Sequence, residues 1–219
     1  MTPIKVLVTV PNEHWLHAHV CRCLLLLQAD QRYALTFDFP AHRPYENNQH
    51  HIVAKLWAGP WDYWLSIDAD NPPSGNPLNL VALDLDLVGL PTPVWHWTGQ
   101  SGEYPLYWNG YDYDVAADAY RQHVPRDGLQ RVDAIGTGCF LVARRVFAVA
   151  ELRSGAFHRT TYPNGTVNKG NDLAFCERVR AAGFSIWCHY DYPCRHYQEI
   201  DLNDVALALK GLLEPIHAG

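Results

Sequence analysis

The interpretation of this chain depends on one stretch, Trp61-Asp62-Tyr63-Trp64-Leu65-Ser66-Ile67-Asp68-Ala69-Asp70-Asn71-Pro72-Pro73. Its aromatic and branched side chains are typical of a half-buried strand, and Asn-Pro-Pro ends any regular structure after it. Asp68 and Asp70 therefore follow the carboxyl end of a strand, at the edge of an open α/β sheet where ligands bind. Two neighbouring carboxylates repel each other unless a cation or a proton lies between them. The pair therefore favours a hard divalent metal ion that is itself bridged to phosphates.

The same residues also have a purely structural interpretation. Asp and Asn before Pro are common turn formers after a strand. This stretch alone does not choose between a turn and a metal site, so the choice depends on the rest of the chain.

The composition indicates a globular protein. Of 219 residues, 48% are hydrophobic and only 18% are charged, which argues against an intrinsically disordered chain. This length predicts a single domain with a substantial core. The apolar runs at 4–10 and 23–27 are too short for a signal peptide or a membrane span, and the six cysteines form no C-x-x-C pair. We therefore expect a soluble, cytoplasmic protein with reduced, buried thiols and no membrane insertion.

The net charge of −6 is unevenly distributed along the chain. Residues 56–120 contain no Lys or Arg, but they contain nine acidic residues. Residues 121–159 contain seven arginines against three acidic residues. An acidic middle favours a cation and an arginine-rich later segment favours an anionic ligand, although for any single arginine a solvated face is the better explanation.

The first seventy residues alternate between strand and helix patterns. Apolar runs predict strands over 4–10, 33–39 and 63–67, and apolar spacing predicts helices over about 13–28, with Asn12 as N-cap, and up to about residue 57. This β-α-β-α-β order is typical of a parallel sheet with a nucleotide-binding edge.

The rest of the chain is less regular. The patterns predict short helices over 76–87 and 144–152, and strands near 94–97, over 106–113, over 132–142 and over 184–189. They also predict a helix over 172–182 that Asn171 caps and Gly183 ends, and a last helix over about 202–213. No repeat or linker interrupts this series, which also favours a single domain.

Four motifs occur in an order that matches a known family. They are Val10-Pro11-Asn12-Glu13 after the first strand, Asp68-Ala69-Asp70, Gly136-Thr137-Gly138 before an apolar run, and Lys169-Gly170-Asn171-Asp172 at the start of a late helix. With this order and spacing, residues 4–197 resemble a family 2 glycosyltransferase with the GT-A fold. The resemblance implies one α/β domain whose Rossmann-like, mostly parallel central sheet is flanked by helices. Residues 1–97 would form its nucleotide-sugar-binding half and residues 98–219 its acceptor and catalytic half.

The resemblance implies a metal centre at the Asp-x-Asp motif. Asp68 resembles the first Asp of the family's DxD motif, which contacts the ribose or a metal-bound water. Asp70 resembles the second, which ligates Mn²⁺ or Mg²⁺ on the donor diphosphate, and His196 resembles the histidine that completes the site. Imidazole suits Mn²⁺ better than Mg²⁺. His196 is one of twelve histidines, and an ordinary loop residue is the alternative interpretation.

The resemblance also implies a catalytic base. Asp172 occupies the place of the Asp that removes the proton of the acceptor hydroxyl, but Asn171 stands where the family has Glu. An Asn-Asp pair that opens a helix has a structural explanation as well, because both residues suit the first turn.

The remaining implied roles concern the donor. The residues that the resemblance places near the donor are Pro11, Asn12 and Glu13 in a first loop, Asp38 and Arg43 near the base, ribose or diphosphate, and Gly136, Thr137 and Gly138 near the sugar. For the two glycines, a ligand that approaches the backbone and a tight passage of the strand against its neighbours are equally good explanations. For Arg43 the alternative is a solvated loop.

The implied activity is metal-dependent, inverting transfer of a sugar from a nucleotide-diphosphate sugar, with a UDP-sugar favoured, to an acceptor hydroxyl. The acceptor is either a saccharide or protein, or a hydroxymethylated base in phage DNA, although the net charge of −6 counts against DNA. A haloacid-dehalogenase-like phosphatase is disfavoured, because its Asp-x-Asp motif follows the first strand. A non-catalytic nucleotide- or sugar-binding protein with the GT-A fold stays open, because Asn171 replaces the family's Glu.

Overall fold

The computed structural model describes residues 3–12, 15–95 and 106–199. The elements in these ranges, in chain order, are β1 (Lys5–Thr9), α1 (Ala18–Gln28), β2 (Ala34–Asp38), α2 (Glu46–Ala58), β3 (Tyr63–Ile67), a 3-10 helix (Pro77–Leu83), β4 (Leu87–Gly89), β5 (Pro93–Trp95), β6 (Leu106–Trp108), β7 (Gly110–Asp114), β8 (Ala119–Gln122), β9 (Leu129–Val132), β10 (Ala134–Ile135), β11 (Cys139–Ala143), a second 3-10 helix (Arg144–Ala148), α3 (Ala150–Gly155), β12 (Thr160–Thr161), β13 (Val167–Lys169), α4 (Asn171–Ala181) and β14 (Ile186–His189).

A seven-stranded sheet in the order β2-β1-β3-β11-β4-β14-β9 organises the described chain. The strands β2, β1 and β3 are mutually parallel, β11 is antiparallel to its neighbours β3 and β4, β14 is parallel to β4, and β9 is antiparallel to β14. Five of these seven strands therefore run in one direction. This arrangement confirms the predicted α/β class, the mostly parallel sheet and the initial β-α-β-α-β order.

Hydrophobic clusters cover both faces of this sheet. All five residues of β3 are buried, as expected for a strand that is covered on both sides. On one face Trp64 contacts the rings of Phe140 and Phe157 in a cluster that α2, α3 and α4 cover. On the other face Leu65 and Ile67 pack in a cluster that α1 and the first 3-10 helix cover. Since both clusters share one sheet, the described chain forms a single domain.

Two predicted helix starts are wrong. Helix α1 begins at Ala18 instead of near residue 13, because Asn12 N donates to Pro40 O and His17 N donates to Ala69 O, so neither amide makes a helical hydrogen bond. The N-cap is His17, whereas the Asn12 side chain donates to Val10 O. Helix α4 begins at Asn171, with Gly170 as N-cap, so Asn171 lies in the first turn and does not cap the helix.

The middle of the chain also departs from the prediction. The predicted helix over 76–87 is a 3-10 helix that ends at Leu83, and residues 87–89 form β4 of the central sheet. The predicted strand over 132–142 is divided among β9, β10 and β11, and the strand over 106–113 is divided into β6 and β7. The helix over 144–152 is a 3-10 turn followed by α3. The second half of the predicted strand over 94–97 and the predicted helix over 202–213 lie outside the described residues.

Helix α1 provides a matched test of this packing. Leu27 is 1% exposed and packs against the sheet, whereas Leu25 is 73% exposed on the same helix. We expect Leu27→Ala to lower the free energy of unfolding by about 2–5 kcal/mol, because it leaves a cavity in the core. Leu25→Ala should change it by less than about 0.5 kcal/mol, because the Leu25 side chain is exposed. Both substitutions have the same effect on helix propensity, so the difference between them reports the packing. Urea unfolding of both variants measures the difference, and equal losses would contradict this packing of α1.

Candidate functional site at the carboxyl edge of the sheet

The carboxyl ends of β1, β2 and β3 meet at one edge of the sheet. In the strand register Thr9 lies opposite both Asp38 and Ser66, so the residues that follow these three positions lie side by side. Hydrogen bonds from Val10 N to Asp38 O and from Asp68 N to Gly138 O join the adjoining loops. The structure therefore brings four of the predicted positions to this edge: Pro11, Asn12, Asp38 and Asp68. Glu13, the remaining member of the predicted first donor-binding loop, lies outside the described residues.

The loop after β3 is held against the segment that follows β14. Tyr197 N donates to Asp70 O at 3.1 Å, Arg195 N donates to Pro72 O at 3.0 Å, and the Asn71 side chain donates to Arg195 O at 3.3 Å. These contacts join residues more than 120 positions apart in the chain. They place His196 beside Asp70.

His196 presents its Nε2 atom to Asp70. The Nε2 atom lies 3.6 Å from Asp70 Oδ2, and Nδ1 lies 2.8 Å from Pro93 O. Because a carbonyl oxygen can only accept, Nδ1 carries the proton and Nε2 keeps its lone pair, as in metal-ligating histidines that donate their other nitrogen to a backbone carbonyl. The Gln198 side-chain amide, 3.2 Å from Nε2, donates to that lone pair.

The spacing of this pair suits a shared metal ion. Two ligands that each lie about 2.1 Å from one metal are about 3.0–3.5 Å apart, close to the observed 3.6 Å. Within the described ranges, no three His, Cys, Asp or Glu side chains are grouped so as to hold a metal ion by themselves. If a metal binds here, Asp70 and His196 are the two ligands that the described residues supply.

Asp68 lies in an electrostatically unfavourable position. Burial, with smaller contributions from the charges of Asp70 and Asp172, raises the pKa of its carboxyl to about 7. A hydrogen bond of 2.8 Å from Tyr45 Oη to Asp68 Oδ1 opposes these effects and lowers the pKa. A carboxyl group that is close to half-protonated at neutral pH, at the edge of a sheet, is typical of a functional site.

Tyr45 is a site residue that sequence analysis missed. Burial raises the pKa of its hydroxyl well above the ordinary value, and the charges of Asp68, Asp70 and Asp172 raise it further. Three predicted carboxylates, from two distant parts of the chain, therefore act on one hydroxyl group. Nothing in the local sequence distinguishes Tyr45 from other loop tyrosines, because its role depends on where α2 begins relative to β3.

Asp172 lies in the first turn of α4. Its Oδ1 atom accepts a hydrogen bond of 2.8 Å from Leu173 N, while burial raises the pKa of its carboxyl. Its charge also raises the pKa of Tyr111, whose own burial is the larger cause. A buried carboxylate with a raised pKa is better suited to accept a proton than an exposed one.

The structure gives other predicted donor-binding residues additional partners. Asp38 Oδ2 lies 2.9 Å from Lys55 Nζ, so this carboxylate already belongs to an ion pair. Arg43 lies in the exposed loop before α2, where its carbonyl oxygen accepts from the Asn47 side chain at 2.7 Å. Their roles toward a donor stay predictions.

Both glycines of the 136–138 segment have a packing reason to lack a side chain. A Cβ atom on Gly136 would lie 2.5 Å from Asn109 Nδ2, and one on Gly138 would lie 2.8 Å from Thr92 Oγ1. These distances are too short for a methyl group, as expected where backbones approach closely. Gly138 O also accepts a hydrogen bond from Asp68 N. The segment 136–138, which includes Thr137, therefore positions the loop of residues 68–73, here called the Asp loop, whether or not the segment contacts a donor.

Comparison with known proteins identifies a similar fold but no family. No protein-family description matches the sequence, and a search of curated proteins finds no match. A197 from STIV has a similar structure, with a TM-score of 0.61 at 12% identity over 90% of this chain and 87% of that chain. This likeness shows a common fold.

Two further solved structures give weaker likenesses. A putative nucleotide-diphospho-sugar transferase from Desulfovibrio desulfuricans G20 gives a TM-score of 0.43 at 10% identity, over 90% of this chain and 83% of that chain. HddC from Yersinia pseudotuberculosis complexed with GMP-PN gives 0.40 at 11% identity, over 95% and 99%. With TM-scores below 0.5, neither establishes a common fold or a common activity.

None of the described helices is long and apolar enough to cross a membrane.

The raised pKa of Asp68 predicts a pH dependence of stability. The folded protein binds a proton at Asp68 up to about pH 7, whereas the ordinary pKa is 3.8, so Asp68 adds a negative slope to the unfolding free energy as the pH rises from about 4 to about 7. Asp68→Asn should reduce this slope, and the part due to Asp172 should remain. Urea unfolding of the protein in EDTA at pH 5 and pH 7 measures the slope. The exposed Asp127→Asn serves as control, and an unchanged slope in Asp68→Asn would contradict the assignment.

Proposed function

We propose that this protein is a metal-dependent, inverting glycosyltransferase that moves a sugar from a nucleotide-diphosphate sugar to an acceptor hydroxyl. The observation that carries the proposal is the position of Asp68, bonded to the Tyr45 hydroxyl and acted on by the charges of Asp70 and Asp172, at the ligand-binding edge of an α/β sheet. Three carboxylates at such an edge suit a reaction that needs both a cation site and a proton acceptor.

Asp70 and His196 are the residues that would hold Mn²⁺ or Mg²⁺, and the donor diphosphate would complete the coordination. Their 3.6 Å separation and the unprotonated Nε2 of His196 support this choice, since a metal ion could replace the Gln198 amide at that nitrogen, and an imidazole ligand favours Mn²⁺. When bound, the metal would neutralise negative charge on the departing nucleoside diphosphate. Asp68, held by Tyr45, would contact the ribose or a metal-bound water.

Asp172 is proposed as the general base. The acceptor oxygen forms a bond to the anomeric carbon while the bond from that carbon to the diphosphate breaks, and the acceptor proton passes to Asp172. Because the nucleophile enters opposite the leaving group, the anomeric configuration inverts. The burial that raises the pKa of Asp172 makes this carboxylate a better proton acceptor than an exposed one.

The proposed donor site is the loop edge around β1 and β2. Pro11, Asn12, Glu13, Asp38 and Arg43 would contact the nucleotide, with a UDP-sugar as the first candidate. The backbone at Gly136, Thr137 and Gly138 would lie near the sugar. The proposed acceptor is a saccharide or a hydroxymethylated base in DNA.

A second candidate is a nucleotide- or sugar-binding protein without turnover. The observation that favours it is Asn171, which stands where the resembled family has Glu and whose Nδ2 atom is buried without a hydrogen-bond partner among the described residues. Binding of a nucleotide sugar without release of a nucleoside diphosphate under any condition would support this alternative.

The donor site predicts a ligand-dependent stabilisation. A nucleotide sugar that binds only the folded state raises its stability by about 2.7 kcal/mol at a concentration of 100 times Kd. We expect one of the UDP-, GDP-, CDP- and dTDP-sugars to raise the melting temperature in MnCl₂ and to lose most of this effect in EDTA. Asp70→Asn should abolish the metal-dependent part. If no nucleotide sugar changes the melting temperature with or without Mn²⁺, the donor site is wrong.

The base assignment predicts a loss of turnover without a loss of binding. Asp172→Asn should lower kcat for release of nucleoside diphosphate by roughly 10²–10⁴-fold, because the proton acceptor is removed. The nucleotide-dependent shift in melting temperature should stay within error of the wild-type value. Glu151→Gln removes an exposed first-turn carboxylate from α3 and serves as the control for an effect on helix stability. Product with retained configuration, or full turnover by Asp172→Asn, would contradict the mechanism.

A further inference from the structure

A cavity lies between the start of α2 and the segment that follows α3, next in the chain to Tyr45 and the carboxylate cluster of Asp68, Asp70 and Asp172. Its volume is about 510 Å³, within the range of small-molecule sites. Pro44, Glu46, Asn47, His50, His158 and Arg159 line it. None of these residues has a role in the donor and metal sites proposed above.

Glu46 is a buried carboxylate with unused hydrogen-bonding capacity. The residue is only 6% exposed, and its Oε1 atom is ion-paired with the Arg159 guanidinium. Its Oε2 atom is buried and has no hydrogen-bond partner among the described residues. Such an acceptor costs stability unless something in the cavity donates to it, so this atom points to a ligand.

His50 adds a second unused group one helical turn further along α2. Its Nε2 atom is also buried without a hydrogen-bond partner in the described part of the chain. The ring lies edge-on to His158, with 4.4 Å between the ring centroids. Burial lowers the pKa of His50, and the charges of His158 and Arg178 lower it further against the opposite effect of Glu46. The imidazole is therefore neutral at pH 7.

The lining selects a chemical class of ligand. The Arg159 guanidinium and the Asn47 amide are donors, while Glu46 Oε2 is an acceptor, so the lining offers both kinds of group. A phosphate or sulfate would be repelled by Glu46, and an ammonium group would be repelled by Arg159. Hydroxyl groups both donate and accept, so adjacent hydroxyls on one ring satisfy such a lining.

The position of the cavity connects it to the reacting centre. Glu46 directly follows Tyr45, whose hydroxyl donates to Asp68, so the cavity and the carboxylate cluster share the first turn of α2. We propose that this cavity binds a polyhydroxylated, saccharide-like group through Glu46, Asn47, His50 and Arg159. Identification of that group as the acceptor rests on the proposed glycosyl transfer. Binding itself does not depend on that proposal.

The test is binding of simple glycosides to the nucleotide-free protein. Methyl β-glucoside, methyl β-galactoside and methyl α-mannoside are titrated to 100 mM, and the imidazole signals of His50 and His158 are followed by ¹H–¹³C NMR at pH 7. We expect at least one glycoside to shift both signals in a saturable way. Glu46→Gln and His50→Gln should each raise its Kd at least 5-fold, while His51→Gln, an exposed residue on the same helix, should leave Kd unchanged.

The variants and outcomes separate this proposal from the proposed function. If Glu46→Gln fails to fold, Asn47→Ala replaces it, because Asn47 is exposed and lines the same cavity. No saturable shift with any glycoside, or a shift with duplex DNA alone, overturns the cavity proposal even if nucleotide sugars stabilise the protein. Glycoside binding without any nucleotide-dependent stabilisation supports the cavity and contradicts the transfer reaction.

Discussion

The buried position of Asp68 near the charges of Asp70 and Asp172 is the constraint around which this structure is arranged. Burial and the two neighbouring charges raise the pKa of Asp68 to about 7, so the metal-free site is close to taking up a proton at neutral pH. Such a cluster lowers the stability of the fold, and it persists only because the surrounding structure holds it. A divalent cation between the carboxylates would relieve the repulsion, so the site and a metal ion are electrostatically complementary.

Two parts of the structure hold the cluster together. The first is the core beneath it, where β3 is fully buried and Trp64 Nε1 donates to Thr9 Oγ1 at 2.7 Å, which aligns the ends of β1 and β3. The second is the set of backbone hydrogen bonds between the Asp loop and residues 193–197. The first part places Asp68 at the sheet edge, and the second places His196 beside Asp70. Neither part requires a bound ligand.

Sequence patterns predicted the β-α-β-α-β half well, because each strand is a continuous apolar run and each helix has a regular apolar spacing. They failed where structure depends on distant partners. The helix predicted over 76–87 ends at Leu83, because residues 87–89 pair with β11 and β14, and the start of α1 is delayed because residues 12 and 17 bond to distant carbonyls. The Asp loop and His196 were recognisable from motif order, whereas Tyr45 and Glu46 were not. Their functions depend on how α2 approaches β3, which no local pattern encodes.

The first turn of α2 joins two environments of opposite character. Tyr45 directs its hydroxyl into the acidic cluster, and the adjacent Glu46 directs its carboxylate away from that cluster toward Arg159. If Glu46 faced the cluster, its negative charge would be the fourth there. It would raise the pKa of Asp68 further and so reduce the fraction of Asp68 that is ionised. The pairing with Arg159 therefore keeps the cluster at three carboxylates and anchors the start of α2 to the segment after α3. A group held in the Glu46 cavity would consequently lie one residue along the chain from Tyr45, which bonds to Asp68, and would not add to the charge of the cluster.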